Sequence, residues 1–248
     1  MAQIIKNKPE NYDLPVELLQ PWSTFVMATE LPPPILKKMI KITDEIIENK
    51  KPEKRAGKDL AGEIEDEFFI DFEILEQEGV MGFFLDVCRN YVIRAQCQSK
   101  PFKKIEILKE TWLIEMIHMW MVSQKDNEYN PVHTHGSCHI SAVMYLKIPE
   151  YLPSRKTKTK ENGEIDEFCS DGAISFSNNS STDKIWGDPT LQIQPKVGQF
   201  LIFPAKQRHQ VYPFRTLDGK GERRSVSFNA AFTSKSKQDG IKQQKKKY

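Results

Sequence analysis

Apolar positions recur with two different periods along this chain, and the change of period divides it. Residues 22–29 (WSTFVMAT) are apolar, aromatic and β-branched, which predicts a strand. The prolines Pro32, Pro33 and Pro34 break it and open a helix over about 35–48. There Ile35, Met39, Ile42 and Ile46 recur at spacings of three and four, one apolar face of a surface helix. A charged, glycine-containing stretch over 50–65 predicts a loop. Helical periodicity returns over about 66–97, as two helices broken near Gly79, with residues such as Phe69, Phe72, Leu75, Phe84 and Tyr91 on the buried side. From Ile105 the texture changes. Residues 113–122, 139–148, 172–177, 190–195, 198–203, 210–214 and 223–232 all read as strands, separated by Asn-Pro, Asn-Gly, Asp-Gly and other glycine-rich turns.

Seven short strands with few helices between them predict an antiparallel sandwich or barrel and exclude a parallel sheet. The expected fold is mainly β with N-terminal helices, an α+β chain in three parts. Residues 1–104 form a helical and strand segment packed on the core, 105–233 the β core, and 234–248 a basic, disordered tail.

Composition narrows the class. The chain has 248 residues, of which 39% are hydrophobic and 10% aromatic, enough for a sizeable core. With 28% charged residues and a mean hydropathy of -0.55, it reads as soluble and folded throughout most of its length. No apolar run approaches the roughly 18 residues a membrane span needs. Residues 1–10 are too polar for a signal peptide, so a cytoplasmic location is expected (the host cytoplasm, for a phage-encoded protein). Cys88, Cys97, Cys138 and Cys169 never pair as C-x-x-C and read as reduced, mostly buried thiols. The net charge of +2 misleads, because the tail holds six lysines against one aspartate and the body is therefore net acidic. That excludes a globally basic nucleic-acid binder. The cluster RKTKTK over 155–160 reads as a solvated loop tip, with a substrate-contacting lid as the alternative.

Candidate chemistry concentrates at few positions. Of five histidines, three fall in or just after Asn130-Pro131-Val132-His133-Thr134-His135-Gly136. On an extended strand the side chains of His133 and His135 leave the same face and can close on one first-row transition metal. A third ligand must come from a distant strand; His209 qualifies, at the turn after the strand FLIF. His-x-His alone is also a common surface feature, and His118, inside the apolar run LIEMIHMWMV, reads as a satisfied core residue. His139 has the parity of the pair, but Gly136 and Ser137 interrupt a straight strand. Fourteen residues after His209 comes RRSVSFN, where Arg223, Ser225, Ser227 and Asn229 share one face and Arg224, Val226 and Phe228 the other. A polar strand face deep in an apolar β domain predicts a pocket lining. Arg223 and Ser225 offer a guanidinium fork and a hydroxyl to one carboxylate.

The order His133-Thr134-His135, SAVMYL over 141–146, GQFLIFP over 198–204, HQVYP over 209–213 and RRSVSFN over 223–229 resembles the 2-oxoglutarate- and Fe(II)-dependent oxygenases, in particular members common in bacteria and tailed phages. The resemblance covers about 112–232. It implies a double-stranded β-helix (jelly-roll, cupin-like) core with the helices before Cys97 buttressing the major sheet. It also implies Fe(II), 2-oxoglutarate and O2 as cofactor and co-substrates, with ascorbate as a stimulant. His133 and His209 match the first and last metal ligands; His135 stands where most such oxygenases place Asp or Glu. Arg223 and Ser225 match the pair that holds the distal carboxylate of 2-oxoglutarate, and Tyr145 could donate its hydroxyl to the same group. The implied reaction couples oxidative decarboxylation of 2-oxoglutarate to succinate with hydroxylation of a primary substrate: a protein, a nucleic acid or a small molecule. No membrane partner is expected. Two other readings stay open: a cupin-like three-histidine metalloenzyme (a dioxygenase or zinc hydrolase) without 2-oxoglutarate, and a non-catalytic β-barrel binding or virion-associated module.

Overall fold

The alternation in ISAVMYLK sets the architecture. Ile140, Ala142, Met144 and Leu146 all join one buried cluster, while Val143 and Tyr145 join another on the opposite side of the same strand. A strand buried on both faces is the middle layer of a three-layer fold. In the computed structural model, which describes residues 25–57, 60–152, 170–178 and 189–239, helices cover one face of a large sheet and a smaller sheet covers the other.

Among the described residues, ten strands run β1 (Met27–Glu30), β2 (Asp66–Phe69), β3 (Trp112–Gln124), β4 (Asn130–His133), β5 (Ile140–Lys147), β6 (Ile174–Ser177), β7 (Thr190–Ile193), β8 (Gln199–Pro204), β9 (Arg208–Val211) and β10 (Arg223–Ser234). The major sheet has the order β1-β8-β5-β10-β3-β2, the minor sheet β4-β9-β6-β7, and every pairing is antiparallel. From β3 to β10 the chain winds between the two sheets, which is the double-stranded β-helix.

The helices are α1 (Pro33–Asn49), α2 (Phe72–Gln77), α3 (Met81–Ser99) and α4 (Lys104–Lys109). Proline opens α1, where an amide donor is not needed, and Lys50 ends it in the left-handed conformation at φ 40°. Met39 and Ile42 of α1 and Phe84, Cys88, Tyr91 and Val92 of α3 bury against Met119, Met121, Phe200, Ile202, Val226 and Phe228 of the sheet. Phe84 is the centre of this layer, edge-on to Phe200 at 6.1 Å and to Phe228 at 5.8 Å. Truncating it would cost about 3–5 kcal/mol.

Three expectations change. Residues 66–69 are a strand, not the start of a helix: Glu67 and Phe69 pair opposite Val122 and Trp120, so the N-terminal segment supplies both edge strands of the major sheet as well as its helical cover. The period-two β region begins after α4 and not at Ile105. The chain also stays ordered past Ser234, because residues 235–239 form a helical turn in which Ser236 hydrogen-bonds Glu110. The strand residues 22–24, the cluster 155–160, Cys169 and the rest of the basic tail lie outside the described residues.

Candidate metal and carboxylate site

Antiparallel pairing of β4 with β9 sets His133 directly opposite His209. His135 lies two residues past the end of β4, where its backbone N–H donates to Ala205 O at 2.8 Å. His209 lies inside β9, not on the turn before it; residues 205–207 make that turn. The three rings meet: centroids are 4.2 Å apart for His133 and His209, 5.1 Å for His133 and His135, and 5.2 Å for His135 and His209. One potential ligand atom from each lies within 4.8 Å of the others, and the two Nε2 atoms of His135 and His209 are 3.4 Å apart. Closing on an ion at roughly 2.1 Å asks for side-chain shifts of the order of 1 Å.

Tautomers decide whether such rings can ligate. His133 Nδ1 lies 2.7 Å from Pro131 O and His209 Nδ1 lies 2.9 Å from Gln207 O. Each Nδ1 therefore carries the proton and donates, which leaves each Nε2 lone pair free. His135 Nδ1 faces Asn229 Nδ2 at 3.4 Å, and Asn229 Oδ1 is buried without a partner. With that amide turned over, Oδ1 accepts from Nδ1–H, and Nε2 of His135 is bared as well. Burial, reinforced by neighbouring imidazole, pushes His135 down to about 4 and His209 to about 3, and burial also lowers His133. All three are neutral at pH 7, the state a metal requires. The residues fit a metal ion.

At the other end of the same cavity stand the polar residues of β10 and β5. Ser225 pairs opposite Tyr145 of β5 and Val122 of β3. Arg223 lines the cavity, whereas Arg224 turns to the helical side and pairs with Glu222 and Asp44, as the parity of RRSVSFN requires. The Arg223 guanidinium is 2% exposed. It donates from Nη1 to Gly172 O at 2.6 Å and from Nη2 to Gln124 Oε1, and its Cζ lies 5.9 Å from the Tyr145 ring centre. Gln124 is itself fixed, donating to the carbonyls of Glu128 and Tyr212. Gly172 is needed at its place: φ is 69°, and a Cβ would sit 2.5 Å from the Tyr151 ring. Arg223 Nε and the Tyr145 hydroxyl are buried without a well-formed hydrogen bond, and the Tyr151 hydroxyl lies against the Arg223 guanidinium. Burial pushes the Tyr145 hydroxyl up to about 12, so it is a donor at any working pH. Unpaired donors beside a buried cation are what an anion would complete.

The cavity measures about 740 Å³, and Leu60, Glu67, Phe69, His118, Trp120 and Asn130 also line it. His118 is exposed there beside Phe69, so it is not the core residue its apolar run predicts. His118, Trp120 and Val122 alternate into the cavity while Met119 and Met121 take the core. His139 is apart from the triad, accepting from Phe232 N–H at 3.0 Å. Glu67 and Gln124 escaped the sequence reading. An alternation in DEFF, bounded by a glycine-containing loop and Asp71, was the available signal for Glu67; nothing local marks Gln124.

Three neutral imidazoles and a buried arginine thus line one cavity, an arrangement that could hold a metal ion beside an anion. Residues 118–229 match the family described as "Putative 2OG-Fe(II) oxygenase". Comparison with curated protein sequences gives no match. Among solved structures, the chain is similar to a Pseudomonas putida prolyl-4-hydroxylase, with 14% identity over 82% of this chain and 91% of that one, at a TM-score of 0.42. A prolyl hydroxylase from Trichoplax adhaerens has 10% identity over 84% and 83%, with a TM-score of 0.46. A 2OG-Fe(II) oxygenase family oxidoreductase from Burkholderia pseudomallei has 13% identity and a TM-score of 0.34. That match spans 52% of this chain and only half, 50%, of its counterpart.

Proposed function

We propose that the protein is a hydroxylase in which His133, His135 and His209 hold Fe(II) and Arg223, Ser225 and Tyr145 hold the distal carboxylate of 2-oxoglutarate. The observation that carries this reading is one cavity with three bare imidazole nitrogens at one end and the unpaired Tyr145 hydroxyl and Arg223 Nε at the other. When bound, iron with 2-oxoglutarate and O2 supplies oxidative decarboxylation to succinate and CO2, coupled to hydroxylation of a C–H bond.

The chain's own residues do the rest. Pro131 O, Gln207 O and Asn229 fix the three imidazoles in the ligating tautomer. Gln124 and Gly172 O hold the Arg223 fork, a low-entropy arrangement ready for a carboxylate. Trp120 packs 5.9 Å from the His135 ring, and Phe176 and Phe203 flank His209, which keeps water from the inner side of the site. Three neutral ligands leave the ion more positive than a carboxylate-bearing set does, and the 2-oxoglutarate dianion offsets that charge. Ascorbate, as a reductant that keeps iron ferrous, belongs to the same proposal. So does a reducing, cytoplasmic location, supported by free thiols at Cys88, Cys97 and Cys138.

The test is succinate formation from 2-oxoglutarate by the Fe(II)-supplied protein under air, followed by mass spectrometry. Succinate from the wild type and none from His209→Ala supports the reading; equal amounts from both removes it.

A further inference from the structure

Among the described residues that line the cavity, Glu67 is the one carboxylate, and the roles of the histidines, Arg223 and Tyr145 leave it unused. It is 1% exposed on β2, and its Oε2 has no hydrogen-bond partner. Among the described residues no cation pairs with it, and its charged neighbour is another acid, Glu128. Such a group is costly for a folded protein unless a ligand completes it.

The surroundings say which ligand. Gly62 faces the carboxylate, and a Cβ there would lie 2.5 Å from Asn130 Oδ1 and 3.0 Å from Glu67 Oε1. Two oxygen acceptors from different strands thus approach the same stretch of backbone, which packs against them too closely to carry a side chain. Gly57 closes on the other oxygen, with a Cβ position 3.5 Å from Oε2. Several acceptors, one of them an acid beside another acid, call for a group with several N–H donors and a positive charge. Asn130 is three residues before His133 on β4, about 10 Å along a strand, so a ligand anchored here reaches the histidines with its chain. Trp120 and Phe69, both lining the space between, suit an aliphatic stem.

We propose that Glu67 and Asn130 form a subsite for a guanidinium or primary ammonium group, and that the primary substrate is a compound or side chain with such a basic nitrogen at the end of a short alkyl chain. That the occupant is the substrate rests on the oxygenase reading; the subsite itself does not.

The probes are n-butylguanidinium and its neutral planar counterpart n-butylurea, titrated into the full-length, metal-free protein by saturation-transfer NMR. The wild type should favour n-butylguanidinium by about tenfold, the difference between a charge-assisted contact and a neutral one. Glu67→Gln should bind both equally. A wild type without the preference, or a variant that keeps it, overturns the subsite. Should the variant not fold, carbon-13 labelling of glutamate carboxyls in the wild type decides: the carboxyl titrating near pH 7 must shift with n-butylguanidinium and stay still with n-butylurea. A carboxyl that ignores the cation overturns the proposal. Adding Mn(II) separates the two readings. Enhanced relaxation of the butyl protons supports the probe's position beside the metal; failure of Mn(II) to bind removes the oxygenase reading while the guanidinium preference stands.

Discussion

Tyr145→Phe separates binding from folding, because the hydroxyl it deletes has no structural partner. Tyr145 is 1% exposed, and its oxygen is buried without a hydrogen bond. A buried unsatisfied polar group costs about 1–3 kcal/mol. Removing the oxygen relieves that cost but leaves a small void, so the ligand-free variant should gain about 1 kcal/mol. For a chain of this size that is a rise in Tm of roughly 2–4 °C. The co-substrate should respond in the opposite direction. Losing one hydrogen bond to a charged carboxylate costs about 1.5–3 kcal/mol, or roughly 10- to 100-fold in 2-oxoglutarate affinity. The loss should be the same at pH 6 and pH 8, since the hydroxyl is pushed up to about 12 and stays protonated throughout. Calorimetry on anaerobic Mn(II)-loaded protein gives the affinity, and a thermal melt without ligand gives the stability. A variant that melts lower and binds 2-oxoglutarate as the wild type does would refute the assignment, because Tyr145 would then be a packing residue.

Arg223→Ala should weaken 2-oxoglutarate by roughly two to three orders of magnitude, since breaking one half of a buried charge pair costs about 3–5 kcal/mol. Arg223→Lys should recover part of this, and metal affinity, set on other strands, should survive both changes in the same calorimetric series. Asn229→Leu should lower Mn(II) affinity by about 10- to 100-fold, while Asn229→Asp, which keeps an acceptor for His135 Nδ1–H, should retain most of it; equal affinities for Leu and wild type would remove Asn229 from the site. Glu67, pushed by burial from 4.5 up to about 7, holds in the folded state a proton that the unfolded chain loses. Stability should therefore fall as pH rises from 4.5 to 7, by about 3 kcal/mol, and Glu67→Gln should flatten that slope in urea titrations run across pH.

Much of the core was legible because the helix-facing sides of β10 and β5 are mostly apolar and alternate with polar or mixed sides. Val226 and Phe228 against Ser225 and Ser227, or Ile140 and Ala142 against Ser141, declare their faces by alternation alone, and Arg223 follows by parity. The convergence of His133, His135 and His209 was legible for the same reason: His-x-His on an extended segment, and a third histidine just past a strand. What was hidden depends on pairings that sequence spacing does not encode. The apolar residues of DEFF satisfy a helical pattern as well as a strand pattern, and only pairing with Val122 and Trp120 settles it. His118 sits in a run so apolar that its neighbours suggest burial, yet the short edge strand β2 pairs only with residues 120–123 of β3 and stops before His118. Gln124 gains its role from a contact across 99 residues to Arg223, and Glu67 from the pairing of β2 with β3 that turns it into the cavity.

The central claim is one cavity holding a metal on three histidines and 2-oxoglutarate on Arg223 and Tyr145. Anaerobic titration of the protein with Fe(II) and then 2-oxoglutarate, followed by visible absorption, tests both halves together. A weak charge-transfer band should grow to saturation at one equivalent of each, be absent in His209→Ala at any concentration, and require far more 2-oxoglutarate in Arg223→Ala. Tight Fe(II) binding with no band at any 2-oxoglutarate concentration would contradict the claim and leave a three-histidine metal site of another chemistry.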